Sequence, residues 1–132
     1  MSAPGVGCGA VLIRENKVLL VRRLKAPDAG AWSIPGGKVD FFEPLDQTVR
    51  REIEEEVGLI IEAMEPLCVV ESIDRKSGYH WVSPIFLATR FSGVAAVREP
   101  DKHDQCAWFA LDALPSPLSI FTVQSMAALG AR

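Results

Sequence analysis

Residues 45–57, "LDQTVRREIEEEV", constrain this chain more than any other stretch. Leu45, Val49, Ile53 and Val57 recur at the spacing that puts side chains on one face of an α-helix, and such a stripe needs another element to cover it. Pro44 suits the first turn, where its missing N–H costs nothing. Gly58 suits the left-handed residue just past the helix end. Beside the stripe, Glu52, Glu54, Glu55 and Glu56 put four carboxylates into five positions. With Glu52 at the origin of a helical wheel, Glu56 falls at roughly 40° and Glu55 at roughly −60°, while Glu54 lies near ~200° and faces solvent.

Three acids thus share a face at a helix C-terminus, where the backbone dipole favours cations by about 0.3–1 kcal/mol. Two like charges ~4 Å apart add about 1 kcal/mol of repulsion in water and about 4 at an effective dielectric near ~20. Two arrangements accommodate this: a solvated acidic face with Arg51 pairing its neighbours, or a bound cation. Oxygen-only donors, with no Cys or His nearby, suit Mg²⁺, with Mn²⁺ as the alternative, rather than zinc.

Around the helix the pattern is one of strands. "GVGCGAVLI" and "VLLVRR" flank the turn "RENK" as a hairpin. "LKAPDAGAW" is a loop, and "SIPGG" a short extended piece, because Pro35 disfavours helix at Ile34. "LIIEAMEPLCVVESI" reads as one or two strands, and "HWVSPIFLATRF" as another, with Pro84 suggesting an edge or a bulge. A polar connection, "SGVAAVREPDKHDQ", leads to a short strand "CAWFA". "SIFTVQSMAAL" has the spacing of a terminal amphipathic helix with Phe121, Met126 and Leu129 turned inward. Strands on both sides of a central helix, and a second helix at the end, indicate a mixed sheet between helices.

The chain has 132 residues, which bounds it to one domain, residues 1–132. Apolar residues make up 48% and charged residues 23%, an ordinary globular composition. A net charge of −3 offers no general attraction for a nucleic-acid polymer or an anionic membrane. A polyanionic substrate would therefore need a divalent metal to hold it. Cys8, Cys68 and Cys106 are scattered and form no CxxC pair, as expected of reduced core thiols. The start "MSAPGVGCGAVLIREN" has no basic segment followed by a long apolar run, so neither a signal peptide nor a membrane span is indicated and a cytoplasmic location is expected.

Gly37, Glu43, Arg51-Glu52, Ile53, Glu55-Glu56, Gly58 and Leu59 fall at the spacing G-x5-E-x7-R-E-U-x-E-E-x-G-U, with U aliphatic. This resembles a complete Nudix box, and the flanks "VLLVRR…WSIPGG" and "WFALDALP" resemble small MutT-type members of that superfamily. The resemblance implies an α/β fold, a Nudix-type α/β/α sandwich with a central mixed sheet. It also implies Mg²⁺-dependent hydrolysis of a nucleoside diphosphate linked to another group. It assigns Glu52, Glu55, Glu56 and the Gly37 carbonyl to the metal, with Glu52 either a ligand or the water-activating base. Arg51 orients the glutamates, Glu43 braces the loop, and Gly36 with Gly37 frees the backbone to turn. Some relatives use a further acid from a distant loop; of Glu99, Asp101 and Asp104 in "REPDKHDQCAW", Asp104 is the choice, and His103 is expected to be exposed.

Substrate contacts are expected from Arg22 or Arg23 to phosphate, and from Trp32, Tyr79 and Trp81 among the aromatics that could stack on a base; Phe41, Phe42, His80 and Trp108 complete that set. Diadenosine polyphosphate and ADP-ribose hydrolases often carry a Tyr or a Pro shortly beyond the box, where Asp74 to Ser77 stand here. "GYHWVSPIFLA" and "REPDKHDQCAWFALDALP" are more similar to nucleoside triphosphate diphosphatases of the MutT and dCTP-cleaving type. The expected reaction is cleavage of a nucleoside triphosphate, deoxy or modified, to monophosphate and pyrophosphate. ADP-ribose or nucleotide-sugar hydrolysis is the alternative, and a nucleotide-sensing module without turnover is a third reading. Small relatives are often dimers, so a homodimer is an expected form.

Overall fold

The computed structural model describes residues 3–132. Its elements run β1 (Gly5–Arg14), β2 (Lys17–Arg23), β3 (Trp32–Ser33), β4 (Gly36–Lys38), α1 (Leu45–Val57), β5 (Ile60–Asp74), β6 (Tyr79–Ser92), β7 (His103–Ala110) and α2 (Ile120–Gly130). The strands form a mixed sheet in the order β3-β2-β1-β6-β5, with β4 also on β1 and β7 also on β2. β1 and β6 run parallel, and the other pairings are antiparallel.

Alternation along the two central strands explains why a helix covers each face. Ala10, Leu12, Leu19 and Val21 point to one side and pack with Val49, Ile53 and Val57 of α1. Val11, Val18 and Leu20 point to the other, where Phe121, Met126 and Leu129 of α2 meet them. Continuous apolar runs, rather than apolar–polar alternation, are what a strand buried on both faces needs. The result is the α/β/α sandwich anticipated from the sequence.

α1 spans the expected residues, with Pro44 at its N-cap and Gly58 (φ 78°) returning its N–H to the Glu54 carbonyl. α2 is fastened to the strand that precedes the glycine pair. Ser119 Oγ caps the helix and donates to Ser33 Oγ at 2.8 Å, while Thr122 Oγ1 accepts the Ile34 N–H at 3.0 Å. The approach to Gly36 is thereby held from the α2 side.

One reading resolves and two change. "LIIEAMEPLCVVESI" is one long strand, broken in register by irregularities that end between Pro66 and Cys68. Pro84 lies on neither an edge nor a terminal strand; it falls where the β1–β6 ladder skips from Val6↔Val82 to Gly9↔Ile85. The last strand starts at His103 rather than Cys106, because β2 pairs with it along its whole length. No helix among the described residues is long and apolar enough to cross a membrane.

Two substitutions test these statements. Ile53 is fully buried between α1 and the sheet, so Ile53→Ala should cost about 2–5 kcal/mol in denaturant unfolding. Phe42 holds a left-handed backbone (φ 67°) while its ring is 91% exposed. Phe42→Gly should leave stability unchanged or raise it by up to about 1 kcal/mol, the relieved strain outweighing the entropy of glycine; a clear loss would show that the ring is held.

Candidate active site

α1 divides its acids as the helical wheel requires. Glu52 and Glu56 sit next to the apolar stripe and are buried, at 7% and 4% exposure, while Glu54 and Glu55 reach solvent. Arg51 connects the group. Its Nε and Nη2 engage both oxygens of Glu43 at 2.8 and 2.9 Å, and Nη1 reaches Glu52 Oε1 at 2.8 Å and Glu55 Oε2 at 3.2 Å. Thr48 Oγ1 adds a 2.6 Å bond to Glu43, whose pKa falls to about 2, chiefly through Arg51 and then Thr48. Glu43 therefore braces the loop and anchors Arg51, as the resemblance implied.

The glycine pair meets the buried acids directly. Gly36 N–H donates to Glu56 Oε1 at 2.8 Å. A side chain at Gly37 would overlap Glu52, since an added Cβ would lie 2.2 Å from its carboxyl carbon. Burial, before any neighbour, pushes Glu56 up to about 8, with Glu52 and Glu99 adding repulsion. Burial also raises Glu52, against the opposing pull of Arg51. One guanidinium, shared among Asp40, Glu43, Glu52 and Glu55 and not reaching Glu56, under-neutralises the site.

The C-terminus of α1 is covered by the segment after β6. Ala96 N–H bonds the Val57 carbonyl and Arg98 N–H the Glu56 carbonyl, both at 3.1 Å, and Arg98 Nη1 lies 3.4 Å from the Glu54 carbonyl. A cation thus stands where the helix dipole calls for one. The same segment brings in Glu99, whose Oε1 is buried without a hydrogen bond and has Lys102 Nζ at 3.5 Å. Burial opposes the charge of Lys102, but Glu99, Glu52 and Glu56 outweigh it and hold its pKa above the usual value.

Among the described residues, no three His, Cys, Asp or Glu side chains close around a common point as they stand. The donors nevertheless fit a hard divalent cation on two grounds. Arg51 takes one oxygen each from Glu52 and Glu55, and Gly36 one from Glu56, so each carboxylate keeps a second oxygen. The raised pKa values of Glu52 and Glu56 mark a surplus of buried negative charge that a cation would relieve.

Next to the glycine pair opens a cleft of about 1180 Å³, walled by β1, β4, β5, β6, the loop after β2 and the first turns of α2. Its floor follows from "GVGCG": Gly5, Gly7 and Gly9 alternate, so one face of β1 carries no side chains there. Trp81 lies against that bare stretch, 2.7 Å from where a Gly5 Cβ would be. This glycine alternation was readable in the sequence, yet only the assembled sheet shows what it leaves open. Cys8 also lines the cleft, but burial first, then Glu52 and Glu43, push its thiol up to about 12, so it is no nucleophile.

Of the expected contacts, Arg23, Gly36, Gly37, Tyr79 and Trp81 line this cleft, and Tyr79 and Trp81 stack at 6.1 Å. Three residues lie elsewhere. Trp32 is buried edge-on against Phe109 at 4.8 Å, as part of the α2-side core. Arg22 makes a bidentate pair with Asp104 on the outer surface, which removes both from the cluster. The cause is a register shift between Arg22 and Arg23: Gln105 pairs Arg22, His103 pairs Arg23, and Asp104 is the extra residue turned outward. His103 turns inward instead and is buried at 4% exposure, against the expectation that it is exposed.

A NUDIX domain profile matches residues 3–129. An ADP-ribose pyrophosphatase of Methanocaldococcus jannaschii is 33% identical over 85% of this chain and 65% of its own length. The 8-oxo-dGDP phosphatase NUDT18 of Mus musculus is 31% identical over 93% of this chain, which spans only 38% of that protein. An 8-oxo-dGTP diphosphatase of Buchnera aphidicola is 31% identical with 83% of each chain covered. Among solved structures, a MutT NUDIX hydrolase from Burkholderia pseudomallei superposes with a TM-score of 0.94 at 49% identity, covering 97% of this chain and 99% of that one. The NUDIX domain of Shewanella oneidensis NrtR, in complex with ADP ribose, superposes with a TM-score of 0.83 at 28% identity, covering 100% and 90%. The profile takes in both helices, the sheet and the buried glutamates beside the glycine pair, and the chain belongs to the NUDIX family of hydrolases.

Proposed function

We propose that this chain is a Mg²⁺-dependent pyrophosphohydrolase that cleaves a nucleoside triphosphate, deoxy or modified, to the monophosphate and pyrophosphate. The observation that carries this reading is the placement of two buried carboxylates, Glu52 and Glu56, against the glycine pair at the rim of a nucleotide-sized cleft. Water attacks a phosphorus, the bridging P–O bond breaks, and a carboxylate takes the proton. A divalent cation, Mg²⁺ or Mn²⁺, would when bound supply positive charge and acidify the attacking water.

The protein groups divide this work. Glu55, Glu56 and the Gly37 carbonyl would hold the cation. Glu52 is either a further ligand or the base, and Arg51 fixes its carboxylate. Glu99 replaces Asp104 as the loop acid that faces the site, because its charge bears on Glu56 while Asp104 is spent on Arg22. Arg23 and Lys38 supply positive charge on the cleft wall, and Tyr79 with Trp81 offers a base a stacking surface worth roughly 1–3 kcal/mol. Arg98 makes no ion pair among the described residues and borders a second, shallower depression with Arg51 and Glu55.

The names of the relatives also support ADP-ribose as a second substrate class. A nucleotide panel with Mg²⁺ decides: monophosphate plus pyrophosphate supports the first reading, AMP plus ribose phosphate the second. Binding without turnover of any nucleotide would leave a sensor, although a sensor has no need of all the box acids.

Glu56→Gln should reduce turnover by at least ~100-fold while the fold persists; retention of most activity would remove Glu56 from the metal. Its stability should move the other way. Burial holds the folded pKa of Glu56 near 8 against 4.5 for an ordinary glutamate, so its contribution to metal-free stability is complete below about 4.5 and is lost as pH rises towards about 8. Melting curves without metal should fall over that window for the wild type, recover with Mg²⁺, and stay flatter for Glu56→Gln.

A further inference from the structure

His103 has no part in the scheme above, yet it is buried against its centre. Its Nε2 lies 3.8 Å from Glu56 Oε2, and its Nδ1 is buried without a hydrogen-bond partner. Of the two ring nitrogens, Nε2 is the one that faces the carboxylate, so a proton there points at Glu56, whereas a proton on Nδ1 would be a buried donor with no acceptor.

We propose that His103 is a positioning residue, whose Nε2–H donates to Glu56 Oε2 and sets the plane of that carboxylate for a divalent cation. This rests on Glu56 being a metal ligand. The present separation is beyond hydrogen-bond reach, so ring or carboxylate must turn to close it. Gly36 N–H already fixes Oε1. With His103 on the second oxygen, both ends of the carboxylate are held by the protein, and each oxygen, which has two lone pairs, keeps one for the cation. The β7 irregularity is what makes this available, because the same extra residue that sends Asp104 out to Arg22 sends His103 in. Donors behind a metal ligand typically govern metal affinity by 10–100-fold.

The test compares His103→Phe and His103→Leu, which lack the donor, with His103→Gln, which can restore one. Mn²⁺ binding is read by electron paramagnetic resonance without nucleotide, and melting curves of the metal-free proteins are taken alongside. The Phe and Leu variants should bind Mn²⁺ at least about tenfold more weakly than wild type, with Gln recovering most of the loss. The same order should appear in the Mg²⁺ concentration giving half-maximal turnover, with little change in turnover at saturating metal. Wild-type Mn²⁺ affinity in a folded Phe or Leu variant would overturn the proposal. So would equal weakening in Phe, Leu and Gln, which would assign the effect to ring shape. Should Phe and Leu both fail to fold, Gln alone decides, since wild-type affinity upholds the donor and a loss of about tenfold or more refutes it. Wild-type protein that binds no Mn²⁺ would instead refute Glu56 as a ligand.

Discussion

Everything at the active site depends on two carboxylates being kept out of water next to an apolar stripe. Glu52 and Glu56 lie one helical turn apart and share their face with Val49, Ile53 and Val57, so packing the helix on the sheet also buries the acids. That burial conflicts with their charge, and it raises the pKa of both. Arg51 meets part of the deficit, but it is already engaged by both oxygens of Glu43 and by Glu55. The chain thus folds around a local excess of negative charge whose direct remedy is a cation from solution. Stability and function pull apart at these positions, as is common where a binding site is built into a core.

The rest of the architecture supports that arrangement from two directions. From the α2 side, the Ser33–Ser119–Thr122 hydroxyl cluster sets the backbone leading to Gly36. From the far end of α1, the segment carrying Ala96, Arg98 and Glu99 closes the exposed carbonyls of the last turn. The glycine pair and the helix end are therefore both fixed by parts of the chain distant in sequence. Neither connection could be anticipated from local pattern.

What was legible in the sequence follows from this division. The boundaries of α1, its apolar stripe and the outward turn of Glu54 are consequences of helical periodicity, and the structure reproduces them. The two-sided burial of β1 and β2 was likewise written in their unbroken apolar runs. Long-range register was not. Strand pattern alone gives no sign of the irregularity at Asp104, and one displaced residue exchanges the fates of His103 and Asp104. Trp32 failed for a related reason: an aromatic before a glycine pair looks the same whether it faces a ligand or Phe109. Pro84 signalled a real interruption, but in a central ladder rather than at an edge.

The alternating glycines of β1 have a consequence beyond leaving space. They make the cleft floor out of backbone, so its outline is drawn by whatever rises around it: Trp81, the start of α2 and the turn after β2. Of these, the start of α2 belongs to the opposite layer of the sandwich from the helix bearing the acids, and Trp81 to the sheet between them. Under the proposed function, exchanges among them would retune which base or sugar is admitted while the hydrolytic apparatus stays untouched, so a single scaffold could serve many nucleotides.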